Sequence, residues 1–292
     1  MDRSKVIALL KQSNVLPELP DKYQNLFAAL ASEETNTFET LSDAISRCGE
    51  LDGFFLSFIN SGYFSIRRKA DTIRDAVAFL GLLTTKTLII AYVVRVLLSG
   101  SQVRTVHFKQ SVYWNHIVGT SVAAEQLYGK RHPQDKHRIF IYGLIHDIGV
   151  SVMSRCIPDL LDNIVEIQLE RNLHQIIAER QVLGGLTHSD IGAWICERWR
   201  LPEDITHMVC FHHRPYTASA YAEELKHLHI ADLISTNYYE RLIGFRHTDT
   251  YPLEMLKQIG TTVQEVEQIG VDLPGLVDGW KARMDFDSFF SS

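Results

Sequence analysis

The chain has 292 residues, a formal net charge of −6 and a sequence pI near 6.1, with 46% hydrophobic and 22% charged residues. These are the proportions of a globular protein with a full core, which excludes the disordered and collagen-like classes. The acidic balance, with no basic stripe, argues against nucleic acid as a partner.

Taken in chain order, the opening string MDRSKVIALLKQ carries an apolar run too short for a secretory leader and reads as a short helix over residues 1–14. Leu16-Pro17-Glu18-Leu19-Pro20 separates it from the first helical unit. Over 38–48, Phe38, Leu41, Ala44, Ile45 and Cys48 fall on one helical stripe, and over 73–80 Ile73, Ala76, Val77 and Leu80 do the same. The most hydrophobic stretch, Leu80 to Leu98, contains Lys86 and Arg95. Each charge would cost about 2.5–3.5 kcal/mol at the centre of a membrane helix, so the stretch is expected as a buried helix and no membrane partner is expected. Ser99-Gly100-Ser101 ends it. Residues 160–169 and 173–183 repeat the helical spacing, and no segment alternates with the period of a strand. Thr248 to Pro252 precedes a short amphipathic tail, residues 246–292. The fold class is therefore all-α, with a helical unit from about 15 to 100 and a second from about 105 to 245. Four cysteines without a CxxC pair read as reduced thiols in a cytoplasmic protein.

The 13 histidines are unevenly placed: none precedes His107. His116 follows Trp114-Asn115 in a helical run. His146-Asp147 sits in the apolar string Gly143-Leu144-Ile145-His146-Asp147-Ile148-Gly149, where an unpartnered charge would be expensive. A metal ion is one solution, since imidazole and carboxylate together ligate Zn, Mn or Fe; a pair satisfied by neighbours near a helix end is the other. Thr187 with Asp190 resembles a capping box, which puts His188 in the first turn of a helix running to about Trp199. Leu201-Pro202-Glu203-Asp204 opens another helix, with Pro at its first position, that ends at Phe211-His212-His213-Arg214-Pro215. His212 and His213 there are either ligands or cations favoured by the helix dipole. Asp232, in Leu228-His229-Ile230-Ala231-Asp232-Leu233-Ile234, is a carboxylate beside an apolar face and needs a partner.

The ordered set His116, His146-Asp147, His188, His212-His213, Asp232 resembles the HD superfamily of metal-dependent phosphohydrolases, and the wider match is to its HDOD branch of bacterial signalling domains. The HDOD resemblance covers roughly residues 14–245. It rests on Leu16–Pro20, Phe58-Ile59-Asn60-Ser61-Gly62-Tyr63-Phe64, Thr72–Val77 with Leu80-Gly81, Tyr113-Trp114-Asn115-His116, the His-Asp-Ile-Gly string, Leu183-Gly184 with Ile191-Gly192-Ala193, and Trp199 with Leu201-Pro202. It implies an N-terminal helical subdomain packed on an HD-type helical subdomain. The seven residues would be metal ligands for one or two divalent ions, Fe, Mn, Zn or Mg. Asn60 and Ser61 read as a polar pair that ends a helix.

HDOD domains are similar to the HD-GYP phosphodiesterases of cyclic di-GMP, and most are thought to act as regulatory modules without that activity. This chain keeps the ligand positions, with Asp147 at the catalytic centre. Arg241, nine residues after Asp232, matches an HD-GYP arginine that meets a substrate phosphate; a solvated charge beside Glu240 is the other reading. Three departures stand against cyclic di-GMP chemistry. Val150 replaces a phosphate-binding Lys, Val112 replaces an extra carboxylate, and Arg214-Pro215-Tyr216-Thr217 replaces the loop that shapes the pocket. The expectation is a metal-binding signalling module with a protein partner and little or no cyclic di-GMP hydrolysis. The alternative is a metal-dependent phosphohydrolase on another nucleotide or phosphoester.

Overall fold

Reciprocal side-chain caps set where three of the helices begin. Thr37, Thr72 and Thr187 each accept a hydrogen bond from the backbone N–H three residues on, and the side chain of that third residue accepts in return from the cap's own N–H. The computed structural model describes residues 2–13, 18–31, 37–61, 68–98, 105–242, 244–245 and 249–283. Among them the regular elements are helices, with no strand. Leu16-Pro17, Gly62-Tyr63-Phe64, Ser99-Gly100-Ser101 and Thr248, used in the sequence reading, lie outside the described residues.

The first part of the chain supplies α1 (Arg3–Gln12), α2 (Asp21–Ala31), α3 (Phe38–Ser46), α4 (Glu50–Asn60), α5 (Ile73–Leu80) and α6 (Leu82–Leu98). The stripes read from sequence largely face inward: Leu41 and Ile45 of α3 and Ile73, Ala76, Val77 and Leu80 of α5 are buried and the two helices pack together, whereas Phe38, at the first position of α3, is exposed. Asn60 ends α4 and binds Ala70 twice, donating to its carbonyl at 2.8 Å and accepting from its N–H at 2.9 Å. The apolar run from Leu80 is not one helix. Gly81, at φ +79°, takes a left-handed conformation that glycine adopts without strain, and α5 and α6 meet there at 113°. From this corner α6 packs on α8 of the second unit.

That second unit comprises α7 (Gln110–Gly129), α8 (Lys136–Ile145), α9 (Ile148–Cys156), α10 (Pro158–Arg171), α11 (Gln175–Val182), α12 (His188–Arg198), α13 (Glu203–Phe211) and α14 (Ala222–Leu242). Pro202 caps α13 rather than opening its first turn, one residue from the expected register. α7 is the central helix, packed on α8 and α14, while α9 packs on α12. Two glycines permit close crossings. A Cβ on Gly143 would stand 2.5 Å from Ser121 Cα, and one on Gly149 would stand 1.9 Å from the His188 carbonyl oxygen. The stretch Lys136–Cys156 is long and apolar enough to cross a bilayer, and 72% of its apolar window is buried inside the fold.

The segment read as a short amphipathic tail contains α15 (Leu253–Ile259) and the 21-residue α16 (Val263–Arg283). Val266, Ile269, Leu273, Val277 and Trp280 form a buried stripe on α16, which packs on α7 and α14. Residues beyond 245 therefore complete the core behind α7, with the Trp280 ring 5.8 Å from that of Phe140.

Candidate metal centre

Each candidate ligand is delivered by a different part of the bundle. His116 projects from α7, His146 caps the end of α8, Asp147 precedes α9, His188 opens α12, His212 caps the end of α13 with His213 after it, and Asp232 lies within α14. The seven side chains converge around Asp147. One of its carboxylate oxygens, Oδ1, lies 3.1 Å from His188 Nε2, 3.4 Å from His212 Nε2 and 3.5 Å from His146 Nε2; Oδ2 lies 3.5 Å from His116 Nε2. Asp232 Oδ1 is 3.3 Å from His116 and 3.7 Å from His146, and its Oδ2 is 3.4 Å from His213 Nδ1. His188, His212 and Asp232 are at most 2% exposed.

The surrounding chain orients these rings. Nδ1 of His146 donates to the Gly143 carbonyl at 2.7 Å, and Nδ1 of His212 donates to the Val209 carbonyl at 3.0 Å. With the proton on Nδ1, the lone pair of Nε2 faces the cluster, which is how ligand histidines are prepared. His188 is held by Glu179, a fully buried carboxylate that the sequence reading passed over. Its oxygens accept from His188 Nδ1 at 2.8 and 2.9 Å and from the His188 backbone N–H at 2.9 Å, and Gln175 donates to it at 2.8 Å. The Tyr113 hydroxyl donates to the Asp147 carbonyl at 2.9 Å, and Ser235 donates to the His116 carbonyl at 2.8 Å. Gly149 explains the small residue after His-Asp-Ile: only hydrogen fits where the start of α9 meets His188.

Burial opposes charge throughout the cluster, and the partners decide the outcome. Against burial, His146 and His188 hold the Asp147 carboxyl well below its usual range, and His146 and His213 do the same for Asp232. Glu179 and Asp147 carry His188 well above the usual imidazole range, and Asp147 with Asp232 raises His146. His212 and His213 shift downward. Burial is the main cause; neighbouring imidazoles add to it. The pair at the end of α13 faces inward, His212 toward Asp147 and His213 toward Asp232.

The donor set fits a metal. His146 Nε2 and Asp147 Oδ1 are buried without a hydrogen-bond partner, an arrangement that is costly unless something else satisfies them. Three overlapping groups have ligand atoms all within 4.8 Å of one another: Asp147-His188-His212-His213, His116-His146-Asp147 and His146-His212-Asp232. Atoms bound to one ion at 2.0–2.2 Å stand about 3.0–3.5 Å apart in octahedral or tetrahedral shells, the range seen around Asp147.

Arg241 does not join them. Nine residues along an α-helix turn the side chain half-way round and carry it about 13 Å from Asp232, and Arg241 is exposed at the end of α14. Its neighbour Glu240 faces inward instead, with a carboxyl pushed up to about 7 by burial and by Asp249. Two openings reach the cluster. One is apolar and bounded by α7, α10 and α14; the other is polar, with Arg180 and Arg214 on its wall beside His213 and Asp232.

The HDOD domain family model matches residues 16–215. The chain belongs to the HDOD family. This HDOD chain is similar in fold to an HDOD domain protein of unknown function from Geobacter sulfurreducens, with a TM-score of 0.68, 20% identity and 99% of each chain covered. It is similar to a Marinobacter aquaeolei protein provisionally named for signal transduction, with a TM-score of 0.73 and 16% identity over 100% of this chain and 66% of that one. A third likeness is to a provisionally named phosphohydrolase from Shewanella amazonensis, with a TM-score of 0.64 and 21% identity over 97% and 98% of the two chains. At these identities the likeness is one of fold. An uncharacterised protein of Treponema pallidum is 27% identical over 210 residues, which is 70% of the HDOD chain and 39% of that relative's length.

Proposed function

We propose that this chain is a cytoplasmic HDOD signalling module built around a two-ion centre, acting on a protein partner and with little or no hydrolysis of cyclic di-GMP. The observation that carries the reading is the position of Asp147. Its Oδ1 lies among His188, His212 and His146 and its Oδ2 beside His116, so the carboxylate stands within reach of both groups of imidazoles. One ion would be held by His116, His146, Asp147 and Asp232, the other by Asp147, His188, His212 and His213. A divalent ion bound there supplies Lewis acidity toward a phosphoryl oxygen. The chain's own groups orient the ligands through Glu179 and the Gly143 and Val209 carbonyls, and exclude bulk water by burying the cluster.

The side chains that would stabilise a transferring phosphoryl group are thin. Val150 is 3% exposed and apolar where a cation would serve, and Arg241 points away. Loss of one preorganised electrostatic contact typically costs about 100- to 1000-fold in rate. The second reading, a phosphohydrolase acting on another phosphoester, is favoured by one feature: Arg180 and Arg214 line the polar opening and supply guanidinium groups to an anion there.

A turnover assay separates the two. Protein reconstituted with Mn, Fe, Zn or Mg is given cyclic di-GMP and, separately, p-nitrophenyl phosphate. The regulatory reading expects no linear product from either. Sustained turnover that disappears in Asp147→Ala, with the variant still folded, would establish the enzyme reading.

A further inference from the structure

The apolar opening is a cavity of about 90 Å³, open to solvent at its mouth, whose inner end reaches His116 and Asp147. Its wall is made by Val112, Val150, Leu161, Ile164, Val165 and Tyr239. Val112 and Val150, far apart in sequence, are both departures from the phosphodiesterase pattern, and they fall on this one wall. The wall is also fixed in place. Asp162 accepts from the backbone N–H groups of Val106, His107 and Phe108 at 2.9, 2.6 and 2.8 Å, which pins the Phe108 loop at the cavity. Tyr113, which also lines it, is anchored through its hydroxyl to Asp147 and Ser151.

One polar group on the wall is unsatisfied. Gln168 is 4% exposed, and its Nε2 lies beside Glu240 without a hydrogen bond of ordinary geometry. A buried amide donor in that state costs free energy unless a ligand atom accepts from it. The charged groups lining the cavity are Lys109, exposed, and Glu240 and Asp147. Such a chamber rejects a second phosphate and suits an uncharged ring that carries a hydrogen-bond acceptor.

We propose that this cavity binds the uncharged, ring-bearing organic part of an anionic ligand whose oxyanion faces the metal centre. The oxyanion end rests on the metal-centre reading above; the ring end rests on the cavity itself. The ligand can be a regulator of the module or a substrate, and the cavity selects it by its ring in either case.

The test uses the full chain loaded with Mn, and calorimetric titration with phenylphosphonate and methylphosphonate, which share an oxyanion and differ in the ring. Burying the ring should make phenylphosphonate bind about tenfold or more tightly than methylphosphonate. Val112→Phe grows into the cavity and should bring the two affinities within about threefold of each other. Metal content and melting are measured alongside. Cross-saturation in the unsubstituted protein, from the methyls of Val112, Val150, Leu161 and Ile164 to the phenyl protons, tests the location even if that variant fails to fold. Equal affinities for the two probes on metal-loaded protein would overturn the proposal and leave the metal centre standing. So would a ring preference without cross-saturation from these methyls. A chain that takes up no metal overturns the metal-centre reading, and the proposal falls with it.

Discussion

Replacing Glu179 probes how the ligand set is held. The carboxylate is fully buried and accepts from three donors: His188 Nδ1, the His188 backbone N–H and Gln175 Nε2. Glu179→Gln keeps the volume and one acceptor oxygen, so one of the two donors on His188 loses its partner. An unsatisfied buried donor costs about 1–3 kcal/mol, which is a fall in Tm of roughly 2–12 °C for a domain of this size. Glu179→Ala removes both acceptor oxygens and leaves the two buried donors of His188 without a partner, a larger loss than in Glu179→Gln. The more specific consequence concerns the metal. Loss of the group that orients a ligand histidine typically weakens metal binding about 10- to 100-fold. On the proposed two-ion reading, the effect should fall on the ion assigned to His188, His212 and His213, leaving the one assigned to His116, His146 and Asp232 nearer its original affinity. The assay is titration of metal-free protein with Zn or Mn beside thermal melts of the same samples. A folded Glu179→Gln protein that takes up both ions with unchanged affinity would refute the assignment of Glu179 as the residue that positions His188.

Gly149→Ala places a methyl 1.9 Å from the main-chain oxygen of His188. That oxygen cannot swing aside, so α9 and α12 must separate; the variant should lose about 1–3 kcal/mol in melting and most of its bound metal. Glu240 tests a pH effect at a group that is not itself a candidate ligand. Its folded pKa of about 7 exceeds its unfolded value, so in chelator-treated protein stability should fall as pH rises from about 4.5 to 7, and the cost remains above that. Glu240→Gln should therefore raise Tm at pH 8 and change little at pH 4.5; the same shift at both values would contradict the burial argument. Arg241→Ala should leave metal content as it is, checked by elemental analysis, because the side chain lies half a turn away from Asp232.

The helices were legible because their buried faces repeat at helical spacing, as Ile73, Ala76, Val77 and Leu80 do. That these side chains come together was legible in part because His146, Asp147 and Asp232 sit among apolar neighbours, where an unpartnered polar group is penalised, and in part from the order of the whole set along the chain. Glu179 was missed for a related reason. The pair Glu179-Arg180 reads as surface charge, and only the spacing of Glu179 to Val182 and Leu183, both buried, puts it on the apolar face. That Arg241 lies on another face of its helix from Asp232 could have been read from sequence alone, since nine residues is half a turn out of phase. Gly149 needed the structure, because the partner it approaches, His188, comes from a helix 39 residues further on and no local pattern encodes that crossing. The tail was underread: a 21-residue helix with Pro274 inside it continues there, and its buried Leu273, Val277 and Trp280 belong to a helix that packs on α7 and α14.

Occupancy of the site around Asp147 by ions is the central claim. The direct measurement is elemental analysis of the purified full chain, before and after reconstitution with Mn, Fe and Zn, with Asp147→Ala processed in parallel. The expected result is about two ions per unsubstituted chain, and a sharp loss in the variant. A folded chain that carries almost no metal under every loading condition would contradict it.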